Sequence, residues 1–304
     1  MTGQPRQQRV VVLNPHPFYQ PYDRERAASE RLGASFHADG PPDAGLLAEA
    51  TVVLSHSAPV DVTLLDRLPA CRLIVSYSTG TDHIDLQAAA ARGIQARGVA
   101  GYCTQDVAEH ALAMVLSCAR RLHQLDRAYR DSGAWDVTVL APHRRRLSRQ
   151  TLGIVGAGRI GQALACKAAA LGMRVLGHDP FLEHAPAGFP GPLVPLEELL
   201  RASDYVSLHA PATPENRHLI GARELGWMRR DAFLVNNAHG DLLDEAALIQ
   251  ALETGQIAGA ALDVREVEPT PRGDVLANRA DVLVTPHAAA FTEDAIADLR
   301  AMVV

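Results

Sequence analysis

Short apolar runs alternate along this chain with stretches whose apolar positions recur every three or four residues, almost from one end to the other. That alternation predicts βαβ units, a mostly parallel sheet and an α/β fold class. RVVVLNP (9–15), ATVVLSHS (50–57), CRLIVSYS (71–78) and GIQARGV (93–99) read as strands of a first unit, with RERAASERLG and VTLLDRLP in helical spacing between them. Residues 106–133 read as one long helix that ends at Gly133 and marks the crossing into a second unit. There TLGIV, DYVSLHAP (204–211), AFLVNNA (232–238), IAGAALDV (257–264) and ADVLVTPH (280–287) are the strands. An open α/β sheet keeps its chemistry at the carboxyl ends of its strands. NNAHG (236–240) places His239 at such an end, just before a helix opened by Asp244 and Glu245.

The length of 304 residues suits two domains. A net charge of -6 with 13 histidines argues against nucleic acid as a partner, and the one basic cluster, His143 to Arg146, reads as a solvated arm. Four widely spaced cysteines with no CxxC pair suggest neither a metal site nor a disulfide framework, so a reduced, cytoplasmic protein is expected. The polar start MTGQPRQQ is unlike a signal peptide, and no apolar run reaches membrane-spanning length.

Gly156-Ala157-Gly158-Arg159-Ile160-Gly161 follows the strand TLGIV and opens a helix. In that context Gly156 allows the turn, Gly158 lets backbone approach a pyrophosphate, and Gly161 permits close packing of helix on strand, while the helix start supplies N–H groups and positive dipole. Asp179 ends the next strand, where a carboxylate accepts hydrogen bonds from the adenosine ribose and repels a 2′-phosphate. NAD, rather than NADP, is the expected cofactor.

At this point the chain resembles the D-isomer-specific 2-hydroxyacid dehydrogenase family. GAGRIG…GHDP, LHAPATPENRHLI, FLVNNAHGDLLDEAALIQAL, IAGAALDVREVEP and VLVTPHAAAFTEDAI stand in the family's order and spacing, as do STGTDHIDLQAAAARGI and GYCTQDVAEHALAMVL. The resemblance covers nearly the whole chain. It implies two Rossmann-like or flavodoxin-like doubly wound parallel-sheet domains with the active site in the cleft between them. Residues 1–100 plus 288–304 would form a discontinuous substrate domain and 101–287 the NAD-binding domain. Carried over residue by residue, His287 matches the family's acid/base histidine and Glu268 its carboxylate partner. Arg159 and Ile160 match pyrophosphate contacts, Asp263 the group that positions the nicotinamide carboxamide, and Pro211, Asn216 and Ala238 other cofactor-lining positions. Ser78, Thr79 and Gly80 match the loop whose N–H groups hold the substrate carboxylate. The long helix and the arm through Trp135 resemble the segments that relatives use to form a homodimer.

The pair makes chemical sense without the resemblance. A ketone receiving hydride develops negative charge on oxygen, which a protonated imidazole stabilises and quenches, while a carboxylate on its other nitrogen fixes the tautomer and raises its pKa.

His239 departs from the family, which carries arginine there to grip the substrate carboxylate and carbonyl oxygen. Imidazole is shorter and cannot form the same bidentate pair. Losing one charge-assisted contact costs about 1.5–3 kcal/mol, or about tenfold to a hundredfold. Three readings follow: a substrate suited to imidazole, a slow or inactive relative, or another cation in the same space, for which Arg265 is the candidate. The final helix, after an N-cap at Thr292, is shorter than in relatives, so looser domain closure is expected. The reading is therefore an NAD-dependent oxidoreductase that interconverts a small anionic 2-keto acid and its D-2-hydroxy acid, with His287, Glu268 and His239 at the site. The alternative is a dinucleotide-binding scaffold resembling the C-terminal binding protein corepressors; retention of both Glu268 and His287 favours the enzyme.

Overall fold

The computed structural model describes residues 8–56, 58–133, 135 and 145–303. The polar N-terminal stretch up to residue 7, and His143 and Arg144 of the basic cluster, lie outside the described residues. The chain divides into two compact units, Met1–Cys103 with Phe291–Val304, and Thr104–Ala290. No helix among the described residues is long and apolar enough to cross a membrane.

In the first unit the order is β1 (Arg9–Val12), α1 (Asp23–Arg31), β2 (Ser35–His37), α2 (Ala44–Glu49), β3 (Val52–Ser55), α3 (Val62–Leu65), β4 (Leu73–Ser76), α4 (Leu86–Ala91) and β5 (Gln95–Gly98). The five strands form one parallel sheet in the order β2-β1-β3-β4-β5. Val11, Val53 and Ile74 face a layer built from Leu47, Leu65, Leu68 and Ala89, and Val12 and Leu54 face Tyr19, Tyr22, Phe36 and Tyr77 on the other side. The aspartates 43, 61 and 85 cap α2, α3 and α4, each accepting from the backbone N–H three residues on. β2 is absent from the sequence reading because it is three residues long and buries only Phe36.

In the second unit the order is α5 (Thr104–Arg120), α6 (Leu122–Ser132), β6 (Thr151–Val155), α7 (Arg159–Ala170), β7 (Arg174–His178), α8 (Leu196–Ala202), β8 (Tyr205–Leu208), α9 (Ala222–Trp227), β9 (Phe233–Asn236), α10 (Glu245–Glu253), β10 (Gly259–Leu262), α11 (Val275–Asn278) and β11 (Val282–Val284). Its parallel sheet runs β11-β10-β9-β8-β6-β7, extended past β7 by a single parallel bridge from Gly177 to Leu193. Residues of β6, β8, β9 and β10 are buried throughout, which is why these strands read as continuous apolar runs. The chain passes from β6 to β7 on one side and then to β8 on the other, so the loops after β6 and β8 meet at a switch point.

The single helix expected over 106–133 is two helices. Arg121 takes φ 55 in the left-handed region and breaks the run, setting its guanidinium over the Phe233 ring at 4.6 Å. No glycine or proline marks the break, so periodicity alone carries the helix straight through it.

The final helix, α12 (Glu293–Val303), belongs to the first unit. Thr292 caps it by accepting from Ala295 N–H at 3.0 Å. Arg300 then forks onto the buried Glu25 of α1 at 3.1 and 3.0 Å.

Candidate active site

The glycine turn lies at the carboxyl end of β6. Gly156 has φ 97, and a Cβ there would fall 2.6 Å from the Ala210 backbone nitrogen. A Cβ on Gly161 would fall 2.1 Å from the Gly156 carbonyl oxygen, whereas nothing lies within 4 Å of one built on Gly158. Two glycines are thus required by packing and the third faces open space. That open backbone, at the start of α7, fits the pyrophosphate of a dinucleotide. Arg159 is exposed and Ile160 half-buried on the first turn of α7. Asp179 stands just beyond β7 and accepts from Ala157 N–H and Phe181 N–H, both at 3.0 Å. After β8, Asn216 closes a loop by donating to the Pro211 carbonyl at 2.7 Å and accepting from Thr213 N–H at 2.8 Å.

NNAHG follows β9 as expected. Asn236 brackets the turn: its Oδ1 accepts from Ala238 N–H at 3.1 Å and its Nδ2 donates to the His239 carbonyl at 2.9 Å. Asn237 points back into the core, where Nδ2 meets Met114 Sδ of α5 at 3.5 Å. Gly240 presses on the next loop, since a Cβ there would fall 1.9 Å from the Arg265 carbonyl oxygen. His239, half-buried, sits between the bracket and this contact.

The loop after β10 carries Arg265 and Glu268. Arg265 is not a spare cation for position 239. It is 8% exposed, and its guanidinium binds Glu245 at 2.7 and 2.8 Å and Asp274 at 2.5 and 3.0 Å. These hydrogen bonds, outweighing burial, raise its pKa further, and Arg265 in turn holds Asp274 below the ordinary carboxylate range. The third reading of position 239 therefore loses its candidate. What Arg265 gives the site is its backbone N–H, which donates to Glu268 Oε1 at 2.8 Å.

Glu268 Oε2 is left for His287 Nδ1, 2.7 Å away. The hydrogen bond to Glu268 lifts the His287 pKa above its ordinary value against the opposing effect of burial, with further help from the charges of Glu268 and Asp263. Burial pushes the Glu268 carboxyl up, but the hydrogen bonds from His287 and Arg265 N–H, with their charges, bring it below its ordinary value. The imidazole is 59% exposed, so Nε2 faces away from Glu268 toward accessible space.

His287 holds φ 51, a left-handed conformation whose cost for a non-glycine residue is on the order of 1–3 kcal/mol. Asp263 holds it there. The Asp263 carbonyl accepts from His287 N–H at 2.8 Å, and the carboxylate accepts from Ala288 N–H at 2.8 Å and Ala289 N–H at 2.9 Å. Asp263, expected to position a nicotinamide carboxamide, is 1% exposed, and its carboxylate accepts from Thr285, Ala288 and Ala289. Sequence reasoning missed Thr285 and His110, which complete this arrangement; His110 shows only as a polar residue beside the apolar stripe of α5.

In the first unit, Ser78 to Gly80 follow β4. The Ser76 and Ser78 hydroxyls both donate to the Gly80 carbonyl, at 2.8 and 2.7 Å. Among the described residues no acceptor takes the N–H groups of Ser78, Thr79 or Gly80. Carbonyls drawn back and consecutive free N–H groups suit an anion.

Residues 112–289 match the family described as D-isomer specific 2-hydroxyacid dehydrogenase, NAD binding domain. The chain is 40% identical over 249 residues to a glyoxylate reductase of Korarchaeum cryptofilum, covering 81% of this chain and 74% of that protein. It is 36% identical over 253 residues to a glycerate dehydrogenase of Methylorubrum extorquens, covering 81% and 78%. Among solved structures it is similar to a D-lactate dehydrogenase from Aquifex aeolicus complexed with NAD and lactic acid, with TM-score 0.82 and 29% identity over 97% of this chain and 93% of that one.

Proposed function

We propose a reaction and a set of roles from the premise that this chain belongs to the D-isomer specific 2-hydroxyacid dehydrogenase family. It is an NAD-dependent oxidoreductase of the 2-hydroxyacid dehydrogenase type. The reaction is interconversion of a small 2-keto acid and its D-2-hydroxy acid. The observation that carries this reading is the 2.7 Å pair of His287 Nδ1 and Glu268 Oε2, with Nε2 directed outward.

On the turn that Gly156 and Gly161 allow, Gly158 with Arg159 and Ile160 would hold the pyrophosphate, Asp179 would take the ribose, and Pro211, Asn216 and Ala238 would line the cofactor. The reduced nicotinamide, when bound, supplies the hydride. Protonated His287 meets the carbonyl oxygen through Nε2–H, stabilises the charge that grows there and delivers its proton, a step contributing about 10²–10⁴-fold. Glu268 keeps Nδ1–H in place throughout and favours the imidazolium before transfer. In oxidation the neutral imidazole takes the hydroxyl proton back. Ser78, Thr79 and Gly80 hold the substrate carboxylate by backbone N–H. His239 contacts the substrate with a shorter and less charged group than arginine. Asp263 acts through the turn that carries His287.

NADH oxidation with a panel of 2-keto acids, followed by chiral analysis of the product, tests this reading. D-product is expected; NADH binding with no turnover on any keto acid would overturn it. His239→Arg should raise kcat/KM for glyoxylate, pyruvate or hydroxypyruvate by about tenfold or more while lowering it for the native acid. Unchanged kinetics would mean that position 239 does not touch the substrate. The protein is also proposed to be a homodimer through its NAD-binding domain, and a monomeric mass in sedimentation at micromolar concentration would refute that.

A further inference from the structure

We infer that His110 and Thr285 are positioning residues for His287: through Asp263 they fix the turn that presents the acid/base imidazole. This rests on the reading of His287 as the acid/base group. The geometry settles the direction of each hydrogen bond. Thr285 Oγ1 lies 2.5 Å from Asp263 Oδ1, a carboxylate oxygen that only accepts, so the one hydroxyl proton goes there. His110 Nε2 lies 3.1 Å from the same hydroxyl oxygen and therefore donates to it. His110 Nε2 thus carries a proton, and it also lies 3.5 Å from Asp263 Oδ1.

The chain of contacts continues into the site. Asp263 Oδ1 and Oδ2 take Ala288 N–H and Ala289 N–H, and the Asp263 carbonyl takes His287 N–H. Three consecutive donors of one turn are fastened to one buried residue. His287 is the turn's left-handed residue, with φ 51, and relaxing that angle would swing its ring off Glu268. His110 comes from α5, whose buried face packs on β9 and β10, so a rigid element braces a strained turn. The charged groups facing His287 are Glu268, bonded to its ring, and Asp263, beneath its turn; the Arg265 side chain is directed at Glu245 and Asp274.

The test compares His110→Ala, His110→Gln, Thr285→Val and the double variant His110→Ala/Thr285→Val. Two readouts are taken: kcat and KM for NADH, and the titration of the His287 ring followed by NMR in the protein without ligands. His110→Ala and Thr285→Val should each lower kcat about tenfold to a hundredfold with KM for NADH within about twofold. The His287 titration should move down toward about 6.5 as its bond to Glu268 loosens. His110→Gln keeps a donor and should restore most of kcat and the wild-type titration. The double variant should be no worse than Thr285→Val alone, because both changes break one chain of contacts. Should His110→Ala not fold, the near-isosteric Thr285→Val carries both readouts. Wild-type kcat and His287 titration in Thr285→Val, or additive losses in the double variant, would overturn the inference. Failure of the wild type to turn over any keto acid would sink the functional reading instead, and the NMR readout still decides whether His110 and Thr285 position His287.

Discussion

Replacing Glu268 by glutamine changes one atom and removes one charge, yet the geometry predicts a large effect. Glu268 Oε1 accepts from Arg265 N–H at 2.8 Å, and that half-buried donor requires an acceptor. Glutamine therefore keeps its carbonyl oxygen on Arg265 and turns its NH₂ toward His287 Nδ1. Facing a donor, Nδ1 must be unprotonated, so the imidazolium loses its partner and is disfavoured. The His287 pKa, raised first by the hydrogen bond to Glu268 and opposed by burial, falls below its ordinary value because burial remains. Keto acid reduction needs the proton on His287, so kcat for reduction at pH 7 should drop about 10²–10⁴-fold, and the descending limb of its pH profile should move to lower pH. Stability should change far less. The elevated His287 pKa stabilises the fold fully below the unfolded imidazole value of about 6.5 and loses that as pH rises through the folded value. The depressed Glu268 pKa contributes above about 4.3 and is lost as pH falls through its folded value. The pair is thus strongest between about pH 4.3 and 6.5. With the imidazole 59% exposed, solvent screening limits its worth to about 0.2–1 kcal/mol. The assay is kcat for reduction against pH, with NADH affinity measured by fluorescence as a control. A Glu268→Gln enzyme that keeps kcat within about threefold and an unshifted profile would refute this account of the pair.

Two further outcomes follow from packing. Arg265→Met should destabilise the second unit by about 3–5 kcal/mol in denaturant titration, because Glu245 and Asp274, 17% and 12% exposed, would be left facing each other without their cation; a loss under about 1 kcal/mol would show that the network contributes little. Gly161→Ala places a methyl 2.1 Å from the Gly156 carbonyl oxygen, a backbone atom that cannot move aside without opening the turn, so NADH affinity should fall at least about tenfold with about 1–3 kcal/mol of stability. Wild-type NADH binding in calorimetry would show that the turn is not the pyrophosphate site.

What the sequence revealed follows from how local each signal is. Strands β6, β8, β9 and β10 of the second unit are buried on both faces, so each is a run of mostly apolar residues bounded by turn residues and needs no neighbour to be recognised. The helix start at Asp244 is equally local, its carboxylate acting over three residues. β2 has one buried residue and no pattern to show. The break at Arg121 depends on a ring of β9 more than a hundred positions away in sequence. The same distinction governs the site. Glu268 and His287 are legible because their motifs name them, but Arg265 was misjudged. Its partners, Glu245 and Asp274, lie 20 and 9 residues away, and nothing in DVREVEP says which way its side chain turns. His110 and Thr285 are 175 residues apart, and only the packing of α5 on the sheet brings them together.

The turn NNAHG shows how the backbone at position 239 is held. Contacts on either side of His239 shape the turn: Asn236 through both amide atoms, Gly240 through the absence of a side chain against Arg265, and Asn237 through its place beside Met114. His239 gives the bracket its carbonyl oxygen, which any residue supplies. Its φ of -143 and ψ of 143 are ordinary extended values that place no demand on the side chain. The backbone at position 239 is thus held by its neighbours. On the proposed reading, histidine rather than arginine there alters reach and charge, while Arg265 N–H and Asp263 hold Glu268 and His287. Gly240 of this turn packs on the Arg265 carbonyl while Arg265 N–H holds Glu268, so the turn and the His287–Glu268 pair are built on one loop.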